Sequence, residues 1–185
     1  MSLDDLATTG IVLLADHQHG PAERGTTATA ADVDRHAATL VRAAAIYDMP
    51  VVISAVGMAG APKLTPQVSE AAGGIRVHER GGTDSMSDPA IAGAIEATGR
   101  KTLLIAGILT EIAVQRAALS AKAKGYDVRV VLDACNGRSE RSEWAAIERM
   151  TSAGIIMTSV PAVLGELMVD FSDPRMQQVR SLLMG

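Results

Sequence analysis

Residues 101–125, KTLLIAGILTEIAVQRAALSAKAKG, contain a strand and the helix that follows it. The uninterrupted apolar run TLLIAG (102–107) is typical of a strand that is covered on both faces of a parallel sheet. Thr110 is predicted to cap the helix, and Gly125 suits the left-handed turn at its end. The stretch therefore predicts a strand-and-helix unit of an α/β fold.

The same alternation continues along the whole chain. Further strands are predicted at GIVLLA (10–15), VVISA (51–55), VRVVL (128–132) and IIMTSV (155–160), with a weaker sixth candidate at GIRVH (74–78). Helix starts are predicted at Thr29 or Asp32 (to about Tyr47), at Asp88 before Pro89 (to Gly99), at Ser139 (to Gly154) and at SDP (172–174). We therefore expect one domain over residues 1–185, a three-layer α/β/α sandwich with a six-stranded, mostly parallel, Rossmann-like sheet.

Composition excludes several classes of partner. The 185 residues carry a net charge of −4 and include one Trp, two Tyr and one Phe, so a basic face and aromatic platforms for nucleic acid are missing. The acidic N-terminus does not resemble a signal peptide, and no apolar run reaches the roughly 18 residues of a membrane helix. The single Cys135 cannot form an internal disulfide. We expect a soluble cytoplasmic protein without a membrane partner.

Two segments are candidates for contacts outside the core. VGMAGAPKLTPQVSEAAG (56–73) has no clear periodicity and is predicted to be a lid or an oligomer contact. PAVLGELMV (161–169) is apolar with few charges, which predicts a buried interface between subunits of a homo-oligomer.

Polar residues follow several of the predicted strands, where ligands bind in open parallel sheets. The first strand is followed by DHQHG (16–20), the third by HERGGTDS (78–85), and the fifth by DACNGRS (133–139). The first turn of the helix after the fourth strand would favour a thiolate or an oxyanion, but the residue there is Ala113.

Each of these residues also has an ordinary structural explanation. An Asp after a strand is often a turn or cap residue, and arginines are common in surface loops. His17 and His19 could hold a metal from an extended segment, but no third ligand is evident. Cys135 is explained as a small buried hydrophobe, and the glycine pairs 73–74 and 81–82 match neither a P-loop nor a dinucleotide fingerprint.

Taken together, the motifs resemble the isochorismatase-like cysteine hydrolase family, and within it the YcaC-type branch. The resemblance is carried by VLLADHQHG (12–20), HERGGTDS (78–85), the block from Ala94 to Ala134 and SEWAAIERMTSAGIIMTSV (142–160). It implies a six-stranded parallel sheet between helices, assembly into dimers or larger rings, and hydrolysis of small molecules without a cofactor or a metal.

The resemblance also implies an active site. Carried over by motif, the family's aspartate is Asp16 and its basic residue is Arg80, which requires a one-residue gap and leaves Glu79 as the alternative. The position of the nucleophilic cysteine is Ala113. In the family mechanism the aspartate takes the thiol proton, the thiolate attacks an amide or related carbonyl, and helix N–H groups hold the oxyanion. An alanine methyl cannot serve as the nucleophile, and Cys135 lies one strand further on.

The substrate-binding positions implied by the resemblance are Gln18, Leu109, Thr110 and Ile112. The family often has a cis peptide before the threonine of this turn, so Leu109–Thr110 is the bond at which the resemblance places one.

The alanine leaves three functional hypotheses open. The first is a hydrolase of amide or related C–N bonds whose catalysis is impaired or altered because the cysteine was lost, by divergence or by deliberate replacement. The second is a cysteine-independent hydrolase of vinyl ethers such as isochorismate, with Asp16 as general acid, a role that a neighbouring arginine opposes. The third is a binding or assembly protein without catalysis.

Overall fold

A six-stranded parallel sheet organises the chain in the computed structural model, which describes residues 5–58 and 60–184. Its strands are β1 (Gly10–Ala15), β2 (Val51–Val56), β3 (Val77–Arg80), β4 (Thr102–Gly107), β5 (Asp127–Val131) and β6 (Ile156–Thr158). They lie in the order β3-β2-β1-β4-β5-β6, and every neighbouring pair is parallel. The predicted fold class is confirmed.

The centre of the sheet is the pair β1 and β4. All residues of both strands are buried, and their register runs from Gly10 opposite Thr102 to Ala15 opposite Gly107. The chain moves from β1 outward to β2 and β3, and then returns to β4 on the other side of β1. The carboxyl ends of β1 and β4 therefore form the point of reversal at which α/β sheets bind ligands.

Helices cover both faces of the sheet. They are α1 (Leu6–Thr9), α2 (Ala30–Ile46), α3 (Pro66–Ala72), α4 (Pro89–Glu96), α5 (Gln115–Ala123), α6 (Glu140–Ser152), α7 (Val160–Leu167) and α8 (Pro174–Met184). α2 packs against α3, α7 and α8, whereas α5 packs against α6. The predicted caps Thr29, Asp88 and Ser139 each accept a hydrogen bond from the first turn of their helix. None of the described helices combines the length and the apolar character needed to span a bilayer.

The third strand lies later in the chain than predicted. The helix α3 ends at Gly73, whose φ of 55° is in the left-handed region, and β3 begins only at Val77. Arg80 is therefore the last residue of a strand and not part of a loop. β6 is shorter than predicted because Ser159 caps α7 and leaves the sheet.

The segment 56–73 is not a structureless lid. Its second half is α3, whose first-turn amides of Gln67 and Val68 donate to the Asp34 carboxylate on α2 at 3.0 and 3.1 Å. This contact fixes α3 on the body of the protein. Ala59 lies outside the described residues.

The helix α7 contains most of the segment 161–169, for which an interface was predicted. The apolar residues of α7, Val163, Leu164 and Leu167, are buried in the core of their own chain. Pro161, Ala162 and Gly165 on the other face are exposed, so the interface predicted for this segment stays a prediction for that face.

Close packing of β1 against β4 can be tested at Gly107. A β-carbon there would lie 2.6 Å from the Ala15 carbonyl oxygen and 2.9 Å from Val114 Cγ2. We expect Gly107→Ala to lower the free energy of unfolding by about 1–3 kcal/mol or more in urea denaturation. The matched control is Gly93→Ala, an exposed helix position with open space around it, which should gain up to about 1 kcal/mol. Equal effects of the two substitutions would contradict this packing.

Candidate active site

Asp16 and Arg80 form a buried, bidentate ion pair. Arg80 Nη1 donates to Asp16 Oδ1 at 2.8 Å, and Nη2 donates to Oδ2 at 2.7 Å. The two residues are only 6% and 3% exposed. Asp16 follows β1 and Arg80 ends β3, so the arginine side chain passes over the end of β2. The sequence offers Arg80, with Glu79 as the alternative, for the position of the family's basic residue. Arg80 contacts Asp16, whereas Glu79 is exposed.

The backbone of β2 completes this arrangement. Val56 lies opposite Arg80 in the register of β2 and β3, and its N–H donates to Asp16 Oδ1 at 2.8 Å. The Asp16 carboxylate thus accepts three hydrogen bonds, and every partner is a donor. This is the environment of a hydrogen-bond acceptor, which suits a general base better than a general acid.

Two residues at the carboxyl ends of the central strands have left-handed backbone conformations. The φ angles are 63° at Asp16 and 61° at Leu109. Such a conformation costs about 1–2 kcal/mol for an L-residue and is more unusual for leucine than for aspartate. Conformational outliers of this kind are concentrated at functional sites, and here they lie on neighbouring strands.

The turn after β4 differs from the predicted helix start. Residues Thr110–Val114 form a single π-helical turn before α5, and its N-cap is Leu109 without a side-chain cap. The Thr110 hydroxyl instead donates to Glu143 Oε1 on α6 at 2.6 Å, so the prediction of a Thr110 cap was wrong. The Leu109–Thr110 bond is trans, as are the other peptide bonds of the described residues.

Ala113 is buried within this turn. The N–H groups of Ile112 and Ala113 donate to the Leu109 carbonyl at 2.8 and 3.0 Å. These two amides are therefore satisfied inside the chain. The expectation of free N–H groups for an oxyanion is wrong for this pair in the present conformation.

Asn136 holds the turn in place and was missed by the sequence analysis. Its carbonyl accepts from the N–H groups of Leu109 and Thr110 at 2.7 and 3.3 Å. Its side-chain Oδ1 accepts from the N–H groups of Thr27 and Ala28 at 3.0 and 3.1 Å. The only sequence signal was the Asn-Gly pair that follows the fifth strand, at the same edge of the sheet.

The two histidines after β1 lie in different surroundings. His17 is buried, and neither ring nitrogen has a partner among the described residues, whereas the exposed His19 contacts Glu23 at 3.1 Å. The two rings therefore do not converge on one ion. Within residues 5–58 and 60–184, no group of three or more metal-binding side chains is found.

Gln18 lies beside the ion pair. Its Nε2 donates to the Val56 carbonyl at 3.1 Å, so Val56 contacts Asp16 through its N–H and Gln18 through its oxygen. Gln18 Oε1 and Arg80 Nε are buried and have no partner among the described residues.

The residues after β5 have structural roles. Burial raises the pKa of the Cys135 thiol to about 12, and Sγ donates to the Val131 carbonyl at 3.2 Å. The thiol is therefore protonated at neutral pH and is a poor nucleophile. Asp133 Oδ1 accepts from the N–H of Val160 at 2.8 Å, at the start of α7.

A large cavity lies away from this cluster. It has a volume of about 720 Å³ and is lined by Tyr47, Leu167 and Arg175, among others. Tyr47 immediately follows α2 and precedes β2, so the cavity is at the amino ends of the strands. Cavity size alone would therefore point to the wrong edge of the sheet, and we favour the charge pair at the carboxyl ends.

Comparison with known proteins identifies the family of the chain. The Isochorismatase domain family model matches residues 10–162, a range that contains Asp16, Arg80 and Ala113. The chain belongs to the isochorismatase family. It is 29% identical to isochorismatase domain-containing protein 2 of Xenopus laevis over 149 residues, or 80% of this chain and 71% of that protein. The chain spans at most half the length of the related domain-containing protein 1 of Danio rerio and Salmo salar.

Two solved structures are similar over most of the chain. YcaC from Pseudomonas aeruginosa, with hexane-2,5-diol and covalent acrylamide, has a TM-score of 0.86 and 27% identity, covering 95% of this chain and 89% of its own. The YcaC gene product of Escherichia coli, an octameric hydrolase of unknown specificity, has a TM-score of 0.85 and 27% identity, covering 96% and 93%.

Burial of the Asp16–Arg80 ion pair predicts how its loss changes the stability of the protein. Arg80→Met leaves the Asp16 carboxylate buried without its cation and should lower the free energy of unfolding by about 3–5 kcal/mol. Asp16→Asn combined with Arg80→Met should recover part of this loss because both charges are gone. Arg35→Met, which breaks the exposed pair with Asp32, should change little. Similar losses for Arg80→Met and Arg35→Met in urea denaturation would refute the role of burial.

Burial of His17 makes a second prediction, for pH. Desolvation lowers the pKa of His17 from 6.5 to about 4, against the opposing charges of Asp34 and Asp16. The unfolded state then binds more protons than the native state between these values, so stability falls as pH drops from 6.5 towards 4. The full contribution is on the order of 3 kcal/mol. We expect His17→Leu to flatten urea-denaturation stability across this range, and the exposed His19→Leu to retain the slope. Parallel profiles for the unaltered chain and His17→Leu would contradict the assignment.

Proposed function

We propose that this chain is a small-molecule hydrolase of the isochorismatase family, directed at amide or related C–N bonds, whose catalysis is impaired or altered by alanine at the nucleophile position, Ala113. The observation that carries the proposal is the buried Asp16–Arg80 pair at the carboxyl ends of the strands. A charge pair of this kind can move a proton and orient a polar substrate, but it does not supply a nucleophile.

Position 113 is next to this pair in the topology of the sheet. β1 and β4 are neighbours, and the N–H of Ile108 donates to the carbonyl of Ala15 at 2.9 Å. One residue further along β1 is Asp16, while the chain after β4 turns into the segment that carries Ala113. This adjacency of the two segments supports the proposal that a side chain at position 113 faces the Asp16 carboxylate.

A cysteine at this position would complete a chemical sequence. Asp16 would take the thiol proton, the thiolate would attack the substrate carbonyl, and the C–N bond would break as the nitrogen leaves with a proton. Water would then hydrolyse the thioester and restore the thiol. Ala113 removes the first bond-forming step, so the unaltered chain would bind such a substrate without forming an acyl-enzyme.

We assign substrate contacts to Gln18, Leu109, Thr110 and Ile112, as the resemblance implies. Ile112 is 39% exposed directly before the buried Ala113, which supports a position at the mouth of the site. The Thr110 hydroxyl is engaged by Glu143, so its contribution is to fix the turn. Both Nη atoms of Arg80 donate to Asp16, so the guanidinium is the cation at the bottom of the proposed site.

One solved relative supports a reactive nucleophile in this fold. YcaC from P. aeruginosa carries covalent acrylamide, which adds to thiolates at its alkene carbon and not at its amide carbonyl. The octameric E. coli YcaC supports assembly of this chain into a homo-oligomer. A binding or assembly protein without catalysis is the alternative that the same pocket and assembly would serve.

The proposal predicts that Ala113→Cys creates a reactive thiol. The Arg80 cation favours the thiolate and Asp16 can take the thiol proton, so acrylamide or iodoacetamide should label it at least about tenfold faster than the buried Cys135. Mass spectrometry of the intact protein and of peptides gives both rates in one sample. Asp16→Asn added to Ala113→Cys should slow labelling at position 113 and leave Cys135 unchanged.

Equal, slow labelling of both thiols would overturn the proposal. Turnover of isochorismate by the unaltered chain, abolished by Asp16→Asn, would instead support the vinyl-ether mechanism. The three donors around the Asp16 carboxylate weigh against that mechanism, because a general acid must itself carry the proton.

A further inference from the structure

The Gln18 side chain has a fixed orientation and an unused acceptor. Its residue is 1% exposed, and Nε2 donates to the Val56 carbonyl at 3.1 Å. A carbonyl oxygen only accepts, so turning the amide over would place two acceptors against each other. Oε1 is therefore held away from Val56, and no donor among the described residues reaches it.

This acceptor belongs to the Asp16 cluster. Val56 donates to Asp16 through its N–H and accepts from Gln18 through its oxygen, so both side chains are anchored on one residue at the end of β2. A buried oxygen without a donor destabilises the protein unless a ligand or water supplies one. The complement of this atom is an N–H group on the substrate.

The apolar surroundings of the cluster are aliphatic. Leu64 pairs with Gln18 in an isolated bridge, and Met58 lies against Gly20. Leu109 and Ile112 precede position 113 in the turn after β4.

None of the four Trp, Tyr and Phe residues is buried at the cluster. Tyr47 and Tyr126 directly precede the amino-end regions of β2 and β5, while Trp144 on α6 and Phe171 after α7 are 64% and 81% exposed. Within the described part of the chain, a planar ring in the cluster would therefore find no buried Trp, Tyr or Phe face on which to stack.

We infer that the site selects a small aliphatic amide whose N–H donates to Gln18 Oε1. The inference rests on the proposed function and adds a substrate class and a specificity-determining residue to it. Gln18 discriminates by its lone pair: an ester oxygen in place of the N–H would face another acceptor, which a buried site rejects strongly.

The test uses a matched pair of ligands, N-methylisobutyramide and methyl isobutyrate, which differ by N–H against oxygen at the same place. Because the unaltered chain lacks the nucleophile, equilibrium binding is measured by NMR on the Gln18 side-chain amide signal, assigned by its loss in Gln18→Met. We expect saturable shifts with the amide and at least about tenfold weaker binding of the ester. Backbone amide shifts around Val56 report binding in the variants.

In Gln18→Met the preference for the amide should fall below about threefold, because the acceptor is gone. Gln177→Met, the same substitution at an exposed position of α8, should keep the full preference. A ratio near one in the unaltered chain would overturn the inference without reliance on any variant, as would a preference that survives Gln18→Met in a folded protein.

A second pair tests the aliphatic wall. Cyclohexanecarboxamide should bind more tightly than benzamide, and the reverse order would overturn the aliphatic assignment.

The outcomes of these binding tests can be distinguished from the outcome of the thiol-labelling test of the proposed function. A reactive thiol in Ala113→Cys without amide preference refutes only the inference, while amide preference with an unreactive thiol refutes only the nucleophile position.

Discussion

The bidentate contact between Arg80 and Asp16 is the constraint on which the site depends. Two charges can be buried together only if their geometry is good and the remaining polar atoms find partners. Here the partners come from the sheet itself, because β2 lies between the two strands that carry the pair and Val56 contributes an N–H to the same carboxylate. The position of the acidic group is therefore tied to the order of three strands, and a shift in the register of β3 would move the cation away from it.

Much of the fold follows from local signals in the sequence. The apolar runs of β1, β2 and β4 and the capping residues Thr29, Asp88 and Ser139 identify their elements because burial on both faces and capping are encoded within a few residues. β3 is harder to predict, since it is short, lies at the edge of the sheet and follows two glycines. The apolar composition of α7 predicts burial, but it does not show whether the same chain or a second subunit covers each face.

The charged half of the candidate site could also be found from the sequence, because Asp16 and Arg80 lie in recognisable motifs. The turn after β4 could not. Its left-handed Leu109 and π-helical start are held by Asn136, whose side chain in turn contacts Thr27, a residue 109 positions away. Such a conformation results from tertiary contacts and leaves no periodic trace in the local sequence. The same limit applies to Gln18, whose identity is visible in the sequence but whose fixed orientation is not.

The Asn136 contacts have a consequence for the history of the site. The turn after β4 is held through backbone N–H groups and through Asn136, which follows the neighbouring strand β5, and none of these bonds involves the side chain at position 113. The architecture of the turn is thus inherited separately from its reactivity. On the proposed function, a single amino-acid replacement at position 113 would silence or restore the chemistry while the contacts that fold the turn stay unchanged, so an inactive member of such a family would differ from an active one at one residue.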